Sequence, residues 1–218
     1  MEDFLVNHGK LTLALTATSI SFLVLLHYTY TVLYGQVKPH LYTHFIWGLE
    51  AAIAAAAQFV SGAGPGACLT VAIALFCFIR AGLAIPYGEK NITSGDKYAL
   101  IACLFGLVLW VLIQDPLYAV IVVSLVDGLA FYPTFRKSFM KPFEENMTTF
   151  VVLNIPLMMG VIAIENYNLT TLLFPCTILI LNFIFVLFLI VRRFQIHGRI
   201  FPYERSGKTR PAKAVIKL

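Results

Sequence analysis

The sequence predicts an all-α membrane protein of seven transmembrane helices, and three observations carry that expectation. The chain of 218 residues is 59% hydrophobic and only 12% charged, with a mean hydropathy of +0.82. Water-soluble domains carry roughly twice that share of charge, about 25%. The apolar residues fall in seven continuous runs, where barrel strands would alternate over about ten residues. A bilayer core takes roughly 17–25 residues per helix, so seven helices use most of the length and leave no room for a separate soluble domain.

Hydropathy places the helices at 11–34, 42–60, 67–87, 98–113, 116–135, 148–164 and 170–191. The first is followed by Lys38-Pro39, and the second by Gly-Ala-Gly-Pro-Gly at 62–66. Asp115-Pro116 separates the fourth from the fifth, and Lys141-Pro142 precedes the sixth. Proline and glycine are the residues that interrupt a helical run. Asp115 reads as an N-cap with Pro116 at the first helical position, which forces a very tight turn. The first run exceeds the 7–15 residues of a signal-peptide core, and Lys38-Pro39-His40 follows in place of a small-residue cleavage site, so it is expected to be retained.

Charge sets the orientation. Lys38, Lys90, Lys97, Arg136, Lys137, Lys141 and eight residues between Arg192 and Lys217 fall on one side; Lys10 falls on the other, and Arg80 lies within a helix. Under the positive-inside rule the N-terminus is outside and the C-terminus cytoplasmic, as in a plasma (bacterial inner) membrane protein. The net charge of +5 thus points to anionic lipid headgroups as the partner of the basic tail, and not to nucleic acid. The tail is expected to be largely disordered over 198–218. The four cysteines, Cys68, Cys77, Cys103 and Cys176, sit in apolar stretches without metal-binding or disulfide spacing, so packing roles are expected, with no metal and no cofactor.

The end of the first helix, YTVLYGQVKPHLYTHFIW (30–47), aligns with the end of the fifth, YPTFRKSFMKPFEENMTTF (132–150). Tyr30 meets Tyr132, and Lys38-Pro39 meets Lys141-Pro142 after one gap, at an offset of about 102 residues. Two three-helix units, with the fourth helix as a linker between them, would then cross in the same direction, a parallel repeat. The corresponding segments are 1–87 for the first repeat, 88–115 for the loop and linker helix, 116–193 for the second repeat, and 194–218 for the tail.

This three-plus-one-plus-three order, with Tyr132-Pro133-Thr134 near the inner end of the fifth helix, resembles the SWEET and PQ-loop superfamily of small-solute transporters. The PQ dipeptide is absent, and the first helix has no proline at the matching place. In addition, GQVKPHLYTHFIWGL (35–49), SGAGPGA (61–67), YGEKNITSGD (87–96) and DGLAFYPTFRKSFMKPFEE (127–145) are similar to a set of uncharacterised bacterial membrane proteins. The first resemblance implies alternating access to a site between the repeats; the second implies fold and no activity.

Ionisable residues at bilayer depth are costly, so they are the natural candidates for function. His27, Arg80 and Asp127 fall about 10 Å from the cytoplasmic helix ends and Glu50 about 12 Å, which puts them in one layer on four helices. Asn154 lies about 9 Å in by the same rise per residue, and Asn182 nearer the midplane. Arg80 paired with Glu50 or Asp127 would make an inner gate or a solute site. Moving Arg80 would change a carboxylate's proton affinity, and His27 would extend the relay. The alternative is structural: Arg80 snorkels to the interface, His27 bonds a neighbouring helix, and the carboxylates hold the bundle together. The alanine run 51–57 beside Glu50 favours close packing around it. Pro156 frees a carbonyl near Asn154, and Pro133 and Pro175 do the same in their helices; each is a solute-binding break or a packing kink.

Trp47 and Trp110, with Tyr34, Tyr42, Tyr87 and Tyr98, fit an interfacial aromatic belt. Arg136, Lys137 and Lys141 before Glu144-Glu145 form a charged loop expected at headgroups or the tail. The Asn91-Ile92-Thr93 sequon lies on the expected cytoplasmic side and is discounted.

The leading functional expectation is a small-solute carrier. A non-transporting seven-helix receptor or scaffold is the alternative, and a retinal pigment is excluded because no Lys lies between Lys141 and Lys208. An enzyme is not expected, since no nucleophile elbow, HExxH or phosphate loop is present. A homo-oligomer is compatible with the sequence, and no motif names a protein partner.

Overall fold

A computed structural model describes residues 2–113, 115–198 and 200–201, and all of its regular structure is helical. The seven helices are α1 (Glu2–Leu33), α2 (Leu41–Val60), α3 (Gly66–Tyr87), α4 (Ser94–Ile113), α5 (Pro116–Met140), α6 (Met147–Ile162) and α7 (Leu169–His197). Each matches an apolar run. Several continue past it: α1 begins at Glu2, α4 at Ser94, and α5 and α7 run on to Met140 and His197. Hydropathy marks only the apolar part of a helix, whereas the backbone hydrogen-bond ladder continues until a cap or breaker stops it. For α7 the stop is Gly198, in the left-handed conformation at φ 63°. Residues 194–197, expected in the tail, are therefore helical; residues 202–218 lie outside the described residues.

The caps follow local chemistry. Asp115 Oδ1 accepts from the Leu117 and Tyr118 N–H groups at 2.8 and 3.2 Å, which starts α5 at Pro116. Asn146 Oδ1 accepts from the Thr149 N–H, and Asn168 and Thr171 form a reciprocal capping box at the start of α7. Pro86, Pro133, Pro156 and Pro175 lie inside helices that run on through them.

Helices α1, α3, α5 and α7 are long and apolar enough to cross a membrane, and α6, at 16 residues, is apolar but shorter. The molecule is inverted relative to a water-soluble bundle. Large apolar side chains such as Leu23, Leu75, Leu125 and Phe183 are 58–69% exposed on the outside. Glu50, Gln58, Arg80, Asp127 and Asn182 are buried within. Together these features suggest a membrane-embedded protein.

In cross-section α3 lies between α1 and α2, and α7 lies between α5 and α6. The two groups meet where α1 packs on α6 and α2 on α5, with α3–α6 and α2–α7 as lesser contacts; α4 packs chiefly on α5. The α2–α5 contact is close because Ala51, Ala54 and Ala57 face Ala119, Val120 and Val123, with Ala74 and Phe174 completing the cluster.

Both ends are tied across this division. At the end bearing Lys38 and Lys141, the Lys38 N–H donates to the Glu144 carbonyl at 3.3 Å and its ammonium lies 3.2 Å from Glu144 Oε1. Lys137 is buried, pairs with Glu145 at 2.5 Å and donates to the Lys38 carbonyl. Lys141 binds Glu89, Arg136 binds Asp96, and the buried Arg193 donates to the carbonyls of Pro142 and Glu145. Lys137 and Arg193, expected at headgroups, instead hold loops together, because their neighbours supply carboxylate and carbonyl acceptors that headgroups would otherwise provide. At the opposite end the Glu165 N–H donates to the Ala63 carbonyl, and Asn168 Nδ2 donates to the Ser61 carbonyl. Gly66 lets that turn approach: a Cβ there would lie 2.8 Å from Ile164 Cα.

Candidate binding cavity

Between the two tied ends lies a cavity with about 60 Å³ of enclosed space. Among the described residues, α1, α2, α3, α5, α6 and α7 contribute. Its walls are largely aromatic and aliphatic: Trp47, Phe76, Phe131, Phe150, Leu157 and Phe174. Four polar side chains face it, namely Ser21 of α1, Arg80 of α3, Asp127 of α5 and Asn182 of α7.

Arg80 is 7% exposed, and its guanidinium carbon lies 4.7 Å from the centre of the Tyr28 ring. This is cation–π geometry, in which the ring face takes the place of a counter-charge. No ion pair joins Arg80 to Glu50 or Asp127, so the expected pairing is not formed, and its Nε has no hydrogen-bond partner within the protein. The physical reason is position: Tyr28 fills the space beside the guanidinium.

The two carboxyl groups face each other instead. Glu50 on α2 is fully buried and interacts with Asp127 across the α2–α5 contact, and Asp127 also interacts with the Trp47 indole N–H. Neither Glu50 oxygen, nor Asp127 Oδ2, nor Trp47 Nε1 makes a hydrogen bond of good geometry. Two carboxyls buried together without a cation are an expensive arrangement, of the kind found where function needs it.

The other expected residues divide. Asn182 reaches the cavity. Asn154 does not: its Nδ2 donates to the Phe150 carbonyl of its own helix at 3.0 Å. His27 is exposed on the outer face of α1, because one residue turns a helix by about 100° and Tyr28 takes the inward position. Pro133 and Pro156 are buried within α5 and α6 and do not line the cavity. Trp47, expected in the interfacial belt, lines it. The side chains of Trp110 and Cys103 lie outside the described residues; Cys68, Cys77 and Cys176 are free thiols.

Sequence reasoning missed Tyr28 and His44. Tyr28 Oη lies 3.1 Å from His44 Nε2, and the His44 ring packs edge-on against Trp47 at 5.4 Å. Arg80, Tyr28, His44, Trp47 and Asp127 thus form a continuous arc around the basic-end side of the cavity. The available signal was helical phase: Tyr28 and His44 share the inward faces of Ser21 and Trp47, seven and three residues away. Beyond the arc, toward the basic end, Asn146 donates to Thr31, and Thr134 donates to Thr43.

No family model, curated protein or solved structure matches the chain.

Proposed function

We propose that the protein is a small-solute membrane transporter working by alternating access, with the cavity between the two helix groups as its solute site. In this reading α1–α3 and α5–α7 are parallel repeats joined by α4, as in the SWEET and PQ-loop architecture. The matched contacts support it: α3 stands between α1 and α2 as α7 stands between α5 and α6, and α1–α6 mirrors α5–α2. Equivalent turns also meet at each end, the α1–α2 loop with α5–α6 and the α2–α3 loop with α6–α7. The positive-inside rule puts the Lys38 and Lys141 end in the cytoplasm and the N-terminus outside. The basic tail then meets anionic lipid headgroups.

The observation that carries the proposal is the cavity itself. It is a largely apolar chamber with convergent polar groups, lying between two ends that are held by hydrogen bonds and ion pairs across the same division. Such contacts can break and reform, as alternating access requires.

The test is thermal stability of the purified protein against sugars, amino acids, nucleosides and vitamins, followed by flux into proteoliposomes. A solute that raises the melting temperature should also cross the membrane. Its binding should be lost in Asp127→Asn and Arg80→Gln. Binding without flux would favour a receptor; no binding, with both variants merely unstable, would demote the carrier reading.

A further inference from the structure

We infer that the cavity takes an apolar zwitterion of the α-amino-acid type, with the carboxylate on Arg80, the ammonium on Asp127 and the side chain among the aromatic walls. This rests on the cavity being the solute site.

The argument is one of charges and their partners. Arg80 and Asp127 both line the cavity, both are more than nine-tenths buried, and each keeps a buried polar atom, Nε and Oδ2, without a hydrogen bond. In a folded protein such atoms are rare and expensive, so a pair of opposite sign opening on one chamber asks for a ligand that answers both.

An arginine fork is suited to a carboxylate, which it binds through two parallel N–H donors. The Tyr28 ring, 4.7 Å from the guanidinium carbon, supports Arg80 without supplying an anion. On the opposite helix, Asp127 has Glu50 behind it and no protein cation beside it. An ammonium group supplies the missing positive charge and three donors, enough for carboxylate oxygens and the adjacent aromatic face.

The rest of the chamber rejects a strongly hydrated solute. A sugar would present hydroxyls to Phe76, Phe131, Phe150 and Phe174, which offer no hydrogen bonds. A simple anion would leave Asp127 and Glu50 uncompensated, and a simple cation would face Arg80. A ligand carrying both charges at one end and an apolar body at the other answers Arg80, Asp127 and the aromatic walls together.

The experiment uses the full chain in detergent and in proteoliposomes, with radiolabelled L-phenylalanine and L-leucine as probes. Phenethylamine and 3-phenylpropionate, each lacking one charge, and glucose serve as comparators. Both amino acids should bind saturably and raise the melting temperature, and the comparators should bind at least about tenfold more weakly. Arg80→Gln and Asp127→Asn should each weaken binding by a similar factor. Should either variant fail to fold, the ligand series on the native chain decides alone. Amine or acid binding as tightly as the zwitterion would overturn the inference.

The two readings separate cleanly. Amino-acid binding without flux supports this inference and removes the carrier reading. Flux of another solute, with no amino-acid binding, leaves the carrier and removes the zwitterion. Neither binding nor flux removes both.

Discussion

Lys38 and Glu144, 106 positions apart, are joined twice, by an ammonium–carboxylate contact of 3.2 Å and by a backbone hydrogen bond of 3.3 Å. The ion pair is substantially exposed, so Lys38→Ala should cost less than about 1 kcal/mol. Lys137 and Glu145, beside it, are 2% and 5% exposed in their side chains. Glu145→Ala leaves a buried ammonium without its counter-ion and should cost about 3–5 kcal/mol. Unfolding of the two variants in mixed micelles checks the ordering.

Tyr28→Phe keeps the ring under Arg80 and removes the hydroxyl from His44 Nε2. The loss expected is about 1–3 kcal/mol, that of a buried polar group left without its partner. His27→Leu, one residue away, should change stability by no more than about 0.5 kcal/mol, since its side chain faces outward. Thermal unfolding of the pair tests the helical phase directly.

Gly66→Ala should cost about 1–3 kcal/mol, because the added methyl meets the Ile164 backbone at 2.8 Å, where nothing flexible can yield. Gly82→Ala, with open space around its Cβ, is the control in the same helix.

Acidification should weaken the basic end in two stages. Burial holds the His40 ring below its ordinary 6.5, aided by Lys137 and Arg136 and opposed by Asp96. The unfolded chain then takes up a proton near pH 6.5 while the folded chain does not. His40 therefore contributes stability that is present above 6.5 and lost as pH falls through the lower folded value. Burial alone would raise the Glu89 carboxyl, but hydrogen bonds from the Asn91 N–H, Lys141 and the Lys90 N–H outweigh it and bring it to about 2. Its contribution is complete above 4.5 and is lost as pH falls toward 2. Melting temperature against pH should lose the upper stage in His40→Gln and the lower in Glu89→Gln.

The seven helical runs and the breaks between them were legible in the chain, because hydropathy, proline and cap chemistry act within a few residues. Position within the apolar runs also marked Glu50, Arg80, Asp127 and Asn182 as candidates for the interior, along with His27 and Asn154, which the structure turns elsewhere. The partners of those groups come from how the helices pack. Arg80 rests on Tyr28, Glu50 faces Asp127, His27 turns outward while His44 turns in, and Lys137 and Arg193 are buried in a network of loops. Each of these depends on helical phase and on which helix stands opposite, across separations of up to about a hundred residues. A one-residue step rotates a helical side chain by about 100°, so a run of apolar letters fixes the helix long before it fixes the face.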